Sequence, residues 1–173
     1  KIYREGILNC AGIQTRRKST YEMVQIGTLF DLQKGTLASD DADENGDYNF
    51  ITASNEWKKH SAFSHDTEAI IYAVAAGGSL GRTHYVKGKF TASNLCLILT
   101  PKKNSPYQIN LEFYNWYFAA MKKRIVSDLA DGTSKLTISK PDLEKYYIDY
   151  IPLKKQNELE AKKVTKYDEL REK

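Results

Sequence analysis

The residues best equipped for chemistry are Arg82, Thr83 and His84, which follow three glycines in five positions, Gly77, Gly78 and Gly81. They lie in Ala76-Gly77-Gly78-Ser79-Leu80-Gly81-Arg82-Thr83-His84-Tyr85-Val86. Glycine backbone can turn sharply or approach a ligand closely, and a guanidinium, a hydroxyl and an imidazole together could grip a phosphate. A nucleotide-binding loop, however, needs Gly-x4-Gly-Lys-Ser/Thr opening a helix whose N-terminus cradles the anion. Here Ala76 stands at the first glycine, Arg82 stands at the lysine, and β-like residues follow Thr83. The stretch therefore reads as a β-hairpin turn from which Arg82 and His84 emerge as cations.

Other catalytic chemistries fail on spacing. His60, His65 and His84 show no ligand spacing with Cys10 or Cys96, so no zinc site is expected. No Gly-x-Ser-x-Gly elbow supports a Ser-His-Asp set. Pro141-Asp142 and Glu144-Lys145 echo a metal-dependent nuclease pattern, but they fall too close together for two strands and read as helix. The Asn/Asp-Pro-Pro-aromatic motif with which amino-methyltransferases hold the target amine is missing. The acidic run Ser39–Asp47 places Asp41, Asp43 and Asn45 at alternating positions before Gly46, as a calcium loop does. Thr52, however, occupies the position of the closing Glu. That run reads as a solvated turn, and catalysis is not written in the chain.

What remains is a set of polar, cationic loops. They comprise Lys34 beside Gly35; Thr52, Ser54, Asn55, Trp57, Lys58 and Lys59; Ser79, Arg82, Thr83 and His84, with Lys87; and Thr133, Ser134 and Lys135. Each taken alone is as well read as a solvated surface loop. Together they supply what DNA recognition requires: Arg and Lys for phosphates and guanine edges, Asn, Ser and Thr for bases and sugars.

The elements that must hold these loops are mostly β. Met23 to Leu32 forms a short apolar element ending at Lys34-Gly35, and Tyr48–Ala53 is a strand running into the loop Ser54–His60. Ala69–Ala75 is continuously apolar, a second β-like run ends at Gly88, and Leu95–Thr100 is a core strand with Cys96 as a buried thiol. The clearest helix starts at the cap Asn110. Phe113, Trp116, Tyr117, Ala120, Met121, Ile125 and Leu129 recur along it at helical spacing, a stripe that reads as core packing. Lys122, Lys123 and Arg124 suit the negative end of its dipole, and Gly132 is expected to end it in the left-handed conformation. Gly132–Ser139 then reads as a loop entering a short strand, Ser139 as the cap of another helix, and Tyr147–Ile151 as a strand stopped by Pro152. Leu153–Lys173 is helical by composition. Its apolar positions, Leu159, Val164, Tyr167 and Leu170, are too sparse for a helix standing alone.

With 173 residues, 41% of them hydrophobic and 28% charged, the chain supports one domain with a helical appendage. The fold class expected is α+β with a twisted, mainly antiparallel sheet. Residues 1–21 read as a polar lead-in with the basic cluster Arg16-Arg17-Lys18. No apolar run reaches the roughly 18 residues of a membrane span. Net charge of +4 and a pI near 8.9 lean toward a polyanionic partner. Two widely separated cysteines form no secreted disulfide framework, so a cytoplasmic location is expected. The chain opens at Lys1 with neither an initiator Met nor a signal pattern, the pattern expected of a fragment or of a processed chain.

An ordered set of segments carries a resemblance: Phe50-Ile51-Thr52-Ala53-Ser54; Gly77-Gly78-Ser79-Leu80-Gly81-Arg82 with Tyr85-Val86; Gly132-Thr133-Ser134-Lys135-Leu136; and Ile151-Pro152-Leu153 followed by Gln156. Over roughly residues 22–173 the sequence resembles a target recognition domain of the specificity subunit of type I restriction-modification systems. The specificity regions of related single-chain restriction-modification enzymes share this module. The resemblance implies a DNA target recognition domain at 22–152 and, at 153–173, the start of a spacer helix that pairs antiparallel through Leu159, Val164, Tyr167 and Leu170. It also implies double-stranded DNA and methyltransferase and restriction subunits as partners, and a second recognition half or a homodimer. The chain itself would need no cofactor, S-adenosylmethionine and magnesium belonging to those partners. Base-reading residues differ between members, so none carries over. Two rivals stand beside this reading: the C-terminal recognition region of a single-chain methyltransferase-endonuclease, and a protein-interaction module that binds no DNA.

Overall fold

The computed structural model describes residues 20–75 and 77–171, with side chains as far as Lys163. Residues 1–19, including Cys10 and the Arg16-Arg17-Lys18 cluster, fall outside it, as do Ala76 and the side chains of Val164, Tyr167 and Leu170. The architecture is α+β. Strands β2 (Phe30–Lys34), β7 (Cys96–Pro101), β5 (His65–Ala73), β6 (Thr83–Ala92), β3 (Tyr48–Ile51) and β4 (Lys58–His60) lie in that order in one open sheet. All neighbours are antiparallel except β3 and β6. A second, two-stranded sheet pairs β1 (Glu22–Gln25) with β8 (Tyr147–Tyr150). The helices are α1 (Ile26–Leu29), α2 (Leu111–Leu129), α3 (Lys140–Lys145) and α4 (Leu153–Arg171).

The apolar run of β5 has a physical cause, for both faces of the strand are buried. Ile70 and Tyr72 join Phe30, Leu97 and Leu99 against α2, while Ala69, Ile71 and Ala73 join Ile51, Val86, Phe90, Ala92, Cys96 and Ile98 on the other face. The sheet is curled over that second cluster. His65 of β5 meets Gln33 of β2, a strand it does not neighbour in the sheet (Nε2 to Oε1, 3.1 Å), and Leu37 bridges Ser93 beyond the ends of β2 and β6. Burial pushes the Cys96 thiol up to about 12, leaving it a packing residue rather than a nucleophile.

Helix α2 begins where the sequence indicates, with Asn110 Oδ1 accepting from Phe113 N–H at 3.1 Å. Its buried surface is wider than the expected stripe, because Tyr114 and Phe118 are buried as well. The sheet takes one side, with Phe118 edge-on to Tyr72 at 5.8 Å. On another side the Tyr114 hydroxyl donates to the Asp149 carbonyl of β8 at 3.0 Å. The helix ends at Ala130 in extended conformation, not through Gly132. Gly132 (φ +122°) instead shapes a turn in which a Cβ would stand 2.4 Å from the Lys135 carbonyl oxygen. That turn closes with paired hydrogen bonds between Asp131 and Thr137, both 2.9 Å, so the expected short strand shrinks to one bridge. Ser139 caps α3 as expected, its Oγ accepting from Asp142 N–H at 3.1 Å.

Two more differences concern the β elements. Lys58–His60 forms an edge strand rather than a loop, pairing Phe50 with Lys58 and Tyr48 with His60. Its low β-propensity hides it from the sequence, whereas its lysines suit an exposed edge. The second run of the hairpin does not end at Gly88. β6 continues in register to Ala92, with Gly88 at φ +95°.

Helix α4 is fixed to the domain by one buried amide. Gln156 donates to the carbonyls of Gln108 (2.9 Å) and Ile151 (2.7 Å) and accepts from Asn110 N–H (2.6 Å). Asn110 Nδ2 returns the contact to Asn157 Oδ1 at 2.8 Å, so the α2 cap also grips α4. Leu159 is buried in the domain's own core and is therefore not available to a second helix.

Candidate nucleic-acid interface

The glycine-led stretch is a hairpin turn, as read. β5 and β6 pair antiparallel up to Tyr72 opposite Thr83, and a 3-10 turn at Gly77–Ser79 joins them. Three of its amides, those at the end that leads into β6, are spent internally: Leu80 N–H on Gly77 O, Gly81 N–H on Ala73 O and Arg82 N–H on Ser79 O, at 3.2, 2.8 and 2.9 Å. A phosphate cradle needs such donors free. Leu80 is buried, and Gly81 (φ +79°) lies so close to α2 that a Cβ would stand 2.7 Å from Val126 Cγ2. The turn is thus seated on the C-terminal half of α2.

From this seat Arg82 and His84 reach the loop that follows β3. Arg82 Nη1 donates to the Ala53 carbonyl at 2.9 Å and to Ser79 Oγ at 3.0 Å. His84 Nε2 contacts the Ser54 carbonyl at 2.8 Å, and since a carbonyl only accepts, this nitrogen carries the proton. Burial is the main cause holding the His84 pKa below its ordinary value, so the ring is a neutral donor rather than a cation. Trp57 lies edge-on to it, ring centres 5.9 Å apart. Thr52 is buried, and its hydroxyl meets Ser54 Oγ at 3.0 Å, while Ser54 Oγ donates to Glu56 O at 2.7 Å. Thr83 turns the other way, to the Asn115 carbonyl of α2 at 3.3 Å.

Other candidates gather at the same end. Ile138 N–H donates to Val74 O at 2.8 Å, holding the loop with Thr133, Ser134 and Lys135 beside the hairpin, and all three are exposed. Val74 N–H donates to Leu95 O, and Ser93 N–H donates to Ile51 O, both at 2.9 Å. Gly35 crosses there so closely that a Cβ would stand 2.1 Å from Ser93 O, which places the exposed Lys34 at this end. Lys58 Nζ donates to Ser39 O at 2.9 Å and Lys59 Nζ to Asn49 Oδ1 at 3.0 Å, both on the exposed edge strand. Lys87 does not join them. It pairs with Glu68 at 3.0 Å and borders a cleft of about 640 Å³ between the sheet, the start of α2 and the start of α4.

One participant was missed. Lys122 of α2 flanks Gly81, and its pKa is lowered by burial and then by the charge of Arg82. Its place in a helix gave it only a dipole role; the docking of the turn that makes it a neighbour of Arg82 is a long-range contact. Among the described residues no group of His, Cys, Asp and Glu could hold a metal ion, and no helix is long and apolar enough to cross a membrane.

The fold is thus a curled, mostly antiparallel sheet that gathers polar, cationic loops at one end and carries a trailing helix anchored by Gln156. Residues 18–173 match the type I restriction modification DNA specificity domain, and the chain belongs to that family. It is 28% identical over 108 residues to the type I restriction enzyme EcoDI specificity subunit of Escherichia coli, 62% of this chain and 22% of that protein. Among solved structures it is similar to the type I restriction-modification S subunit from M. genitalium (TM-score 0.66, 22% identity, 89% of this chain and 41% of that one). The HsdS subunit from Thermoanaerobacter tengcongensis has the same fold (TM-score 0.64, 16% identity, 92% and 41%). So has a chain from a structure of type I R-M complex assembly and conformational transition (TM-score 0.72, 13% identity, 98% and 44%). This chain therefore spans less than half the length of those relatives.

Proposed function

We propose that this chain is one recognition half of a type I specificity subunit: it reads one half-site of a bipartite duplex target and directs adenine-methyltransferase and restriction subunits to it. In this reading it is non-catalytic, and S-adenosylmethionine and magnesium are held by those partners. Residues 22–152 bind DNA. Residues 153–173 begin a spacer helix that pairs through Val164, Tyr167 and Leu170 with a second recognition half or a second copy. The observation that carries the reading is the union, in a chain of this family, of the Thr52–Lys59 loop with the Ser79–His84 turn through Arg82 and His84. Lys34, Lys58, Lys59 and Lys135 surround that union with exposed cations suited to phosphates.

Selection of the full-length protein against a random duplex library, followed by salt titration of the enriched sequence, tests this. Four phosphate contacts predict that log K falls against log salt with a slope of about −3 to −4. A library that stays unenriched at low salt overturns the reading.

A further inference from the structure

Arg82 and His84 spend polar atoms on two consecutive carbonyls, Ala53 and Ser54, at 2.9 and 2.8 Å. Those bonds grip the loop from the β6 side just before the chain turns outward. The next three residues, Asn55, Glu56 and Trp57, are all exposed. Among the described residues the side chains of Asn55 and Glu56 have no hydrogen-bond or ionic partner, and Trp57 touches the site only edge-on to His84. The chain then enters the edge strand with Lys58 and Lys59.

The chemistry of that tip is not the chemistry of phosphate binding. A carboxylate facing phosphates is repelled, but it can accept from cytosine N4; an amide can pair bidentately with adenine N6 and N7. We infer that Asn55-Glu56-Trp57 is the base-reading tip of this domain, and that Arg82 and His84 are positioning residues that hold it rather than contacts to DNA. The inference rests on the DNA-recognition reading above. It assigns phosphate contact to the flanking Lys58 and Lys59.

Library selections with the full-length wild type and with Asn55→Ala, Glu56→Gln and Arg82→Met separate these roles. Asn55→Ala and Glu56→Gln change the preference at adjacent base pairs by roughly 5- to 150-fold. Both leave the rest of the selected motif and the salt slope intact. Arg82→Met blurs the same base pairs without altering the slope, and Arg82→Lys, which keeps a donor for Ala53 O, restores part of the preference. A motif unchanged by both tip variants overturns the inference. So does a slope that flattens by about 0.9 in Arg82→Met with the motif retained, since that is the signature of a lost phosphate contact. If Arg82→Met fails to fold, the two tip variants, which alter only exposed side chains, still decide. A wild type that enriches nothing overturns the DNA-recognition reading itself, an outcome distinct from enrichment that ignores the tip.

Discussion

Replacing Gln156 with Leu removes the buried amide that fastens the start of α4 to the rest of the domain. The side chain is fully buried and makes three hydrogen bonds, all to backbone: Gln108 O, Ile151 O and Asn110 N–H. Leucine fits the volume but leaves those groups without partners. The bonds at Gln108 and Asn110 are only partly buried, so water can replace them and each loss costs about 0.5–1 kcal/mol. The bond to Ile151 O is buried, and leaving that carbonyl unsatisfied costs about 1–3 kcal/mol. The total, about 2–5 kcal/mol, is a large share of the ~5–15 kcal/mol that holds a domain together. At about 2–4 °C per kcal/mol for a chain of this size, Tm falls by roughly 10 °C. Thermal melts and urea titrations of wild type, Gln156→Leu and Asn157→Ala measure it. Asn157→Ala loses one exposed bond to Asn110 and shifts Tm by no more than about 2 °C. A Gln156→Leu variant that melts within about 2 °C of wild type would refute the claim that this amide fastens the helix.

Gly81→Ala and Gly78→Ala separate docking of the turn from its flexibility. At Gly81 a Cβ meets Val126 at 2.7 Å with φ at +79°, so Ala costs about 2–3 kcal/mol; at Gly78 nothing lies within 4 Å, and Ala changes stability by less than about 0.5 kcal/mol, both read from chemical denaturation. Glu112 and Glu160 share a hydrogen bond across the junction of α2 and α4, which is the largest cause raising the Glu112 pKa above its ordinary 4.5. A raised carboxyl pKa means that the folded state holds the proton more tightly, so this stability is fully present below the ordinary value and is lost as pH rises through the raised one. Glu112→Gln keeps a donor toward Glu160 at every pH. Because Glu112 is exposed and Glu160 only half-buried, the variant gains only about 0.5 kcal/mol or less at pH 7, and the gain vanishes near pH 4, as melts at the two pH values report.

What could be read from the sequence divides by range. The cap at Asn110, the cap at Ser139 and the stripe of α2 depend on residues within a turn or two, and so does the hairpin that closes at Gly77–Arg82. Each of these was legible. Elements made by partners far along the chain were not. Lys58–His60 is a strand because β3 offers an edge, and Gly132 serves a turn because Ala130 already ends α2 in extended backbone. Leu159 looks like a lone apolar residue on a charged helix, yet it completes a core whose other members come from the other three helices and from both sheets.

The same division governs the candidate site. Residue type marked Arg82 and His84 as cations free for a partner, whereas the fold turns both toward backbone carbonyls and leaves His84 neutral. Thr52 and Thr83, chosen for their hydroxyls, are likewise occupied inside the molecule, with Ser54 and Asn115. Just beyond those carbonyls an amide, a carboxylate and an indole stand exposed on the loop, and of these residue type marked Asn55 and Trp57 but passed over Glu56. This is the arrangement expected where a frame must persist while the read sequence changes. Bonds aimed at carbonyls do not depend on which side chain sits at positions 53 and 54. Asn55 and Glu56 can therefore be exchanged without disturbing the clamp that presents them, whereas Trp57 also packs edge-on to His84. Substituting Asn55 or Glu56 costs little stability, because solvated side chains without partners contribute little to it, whereas substituting the clamp costs stability and presentation together.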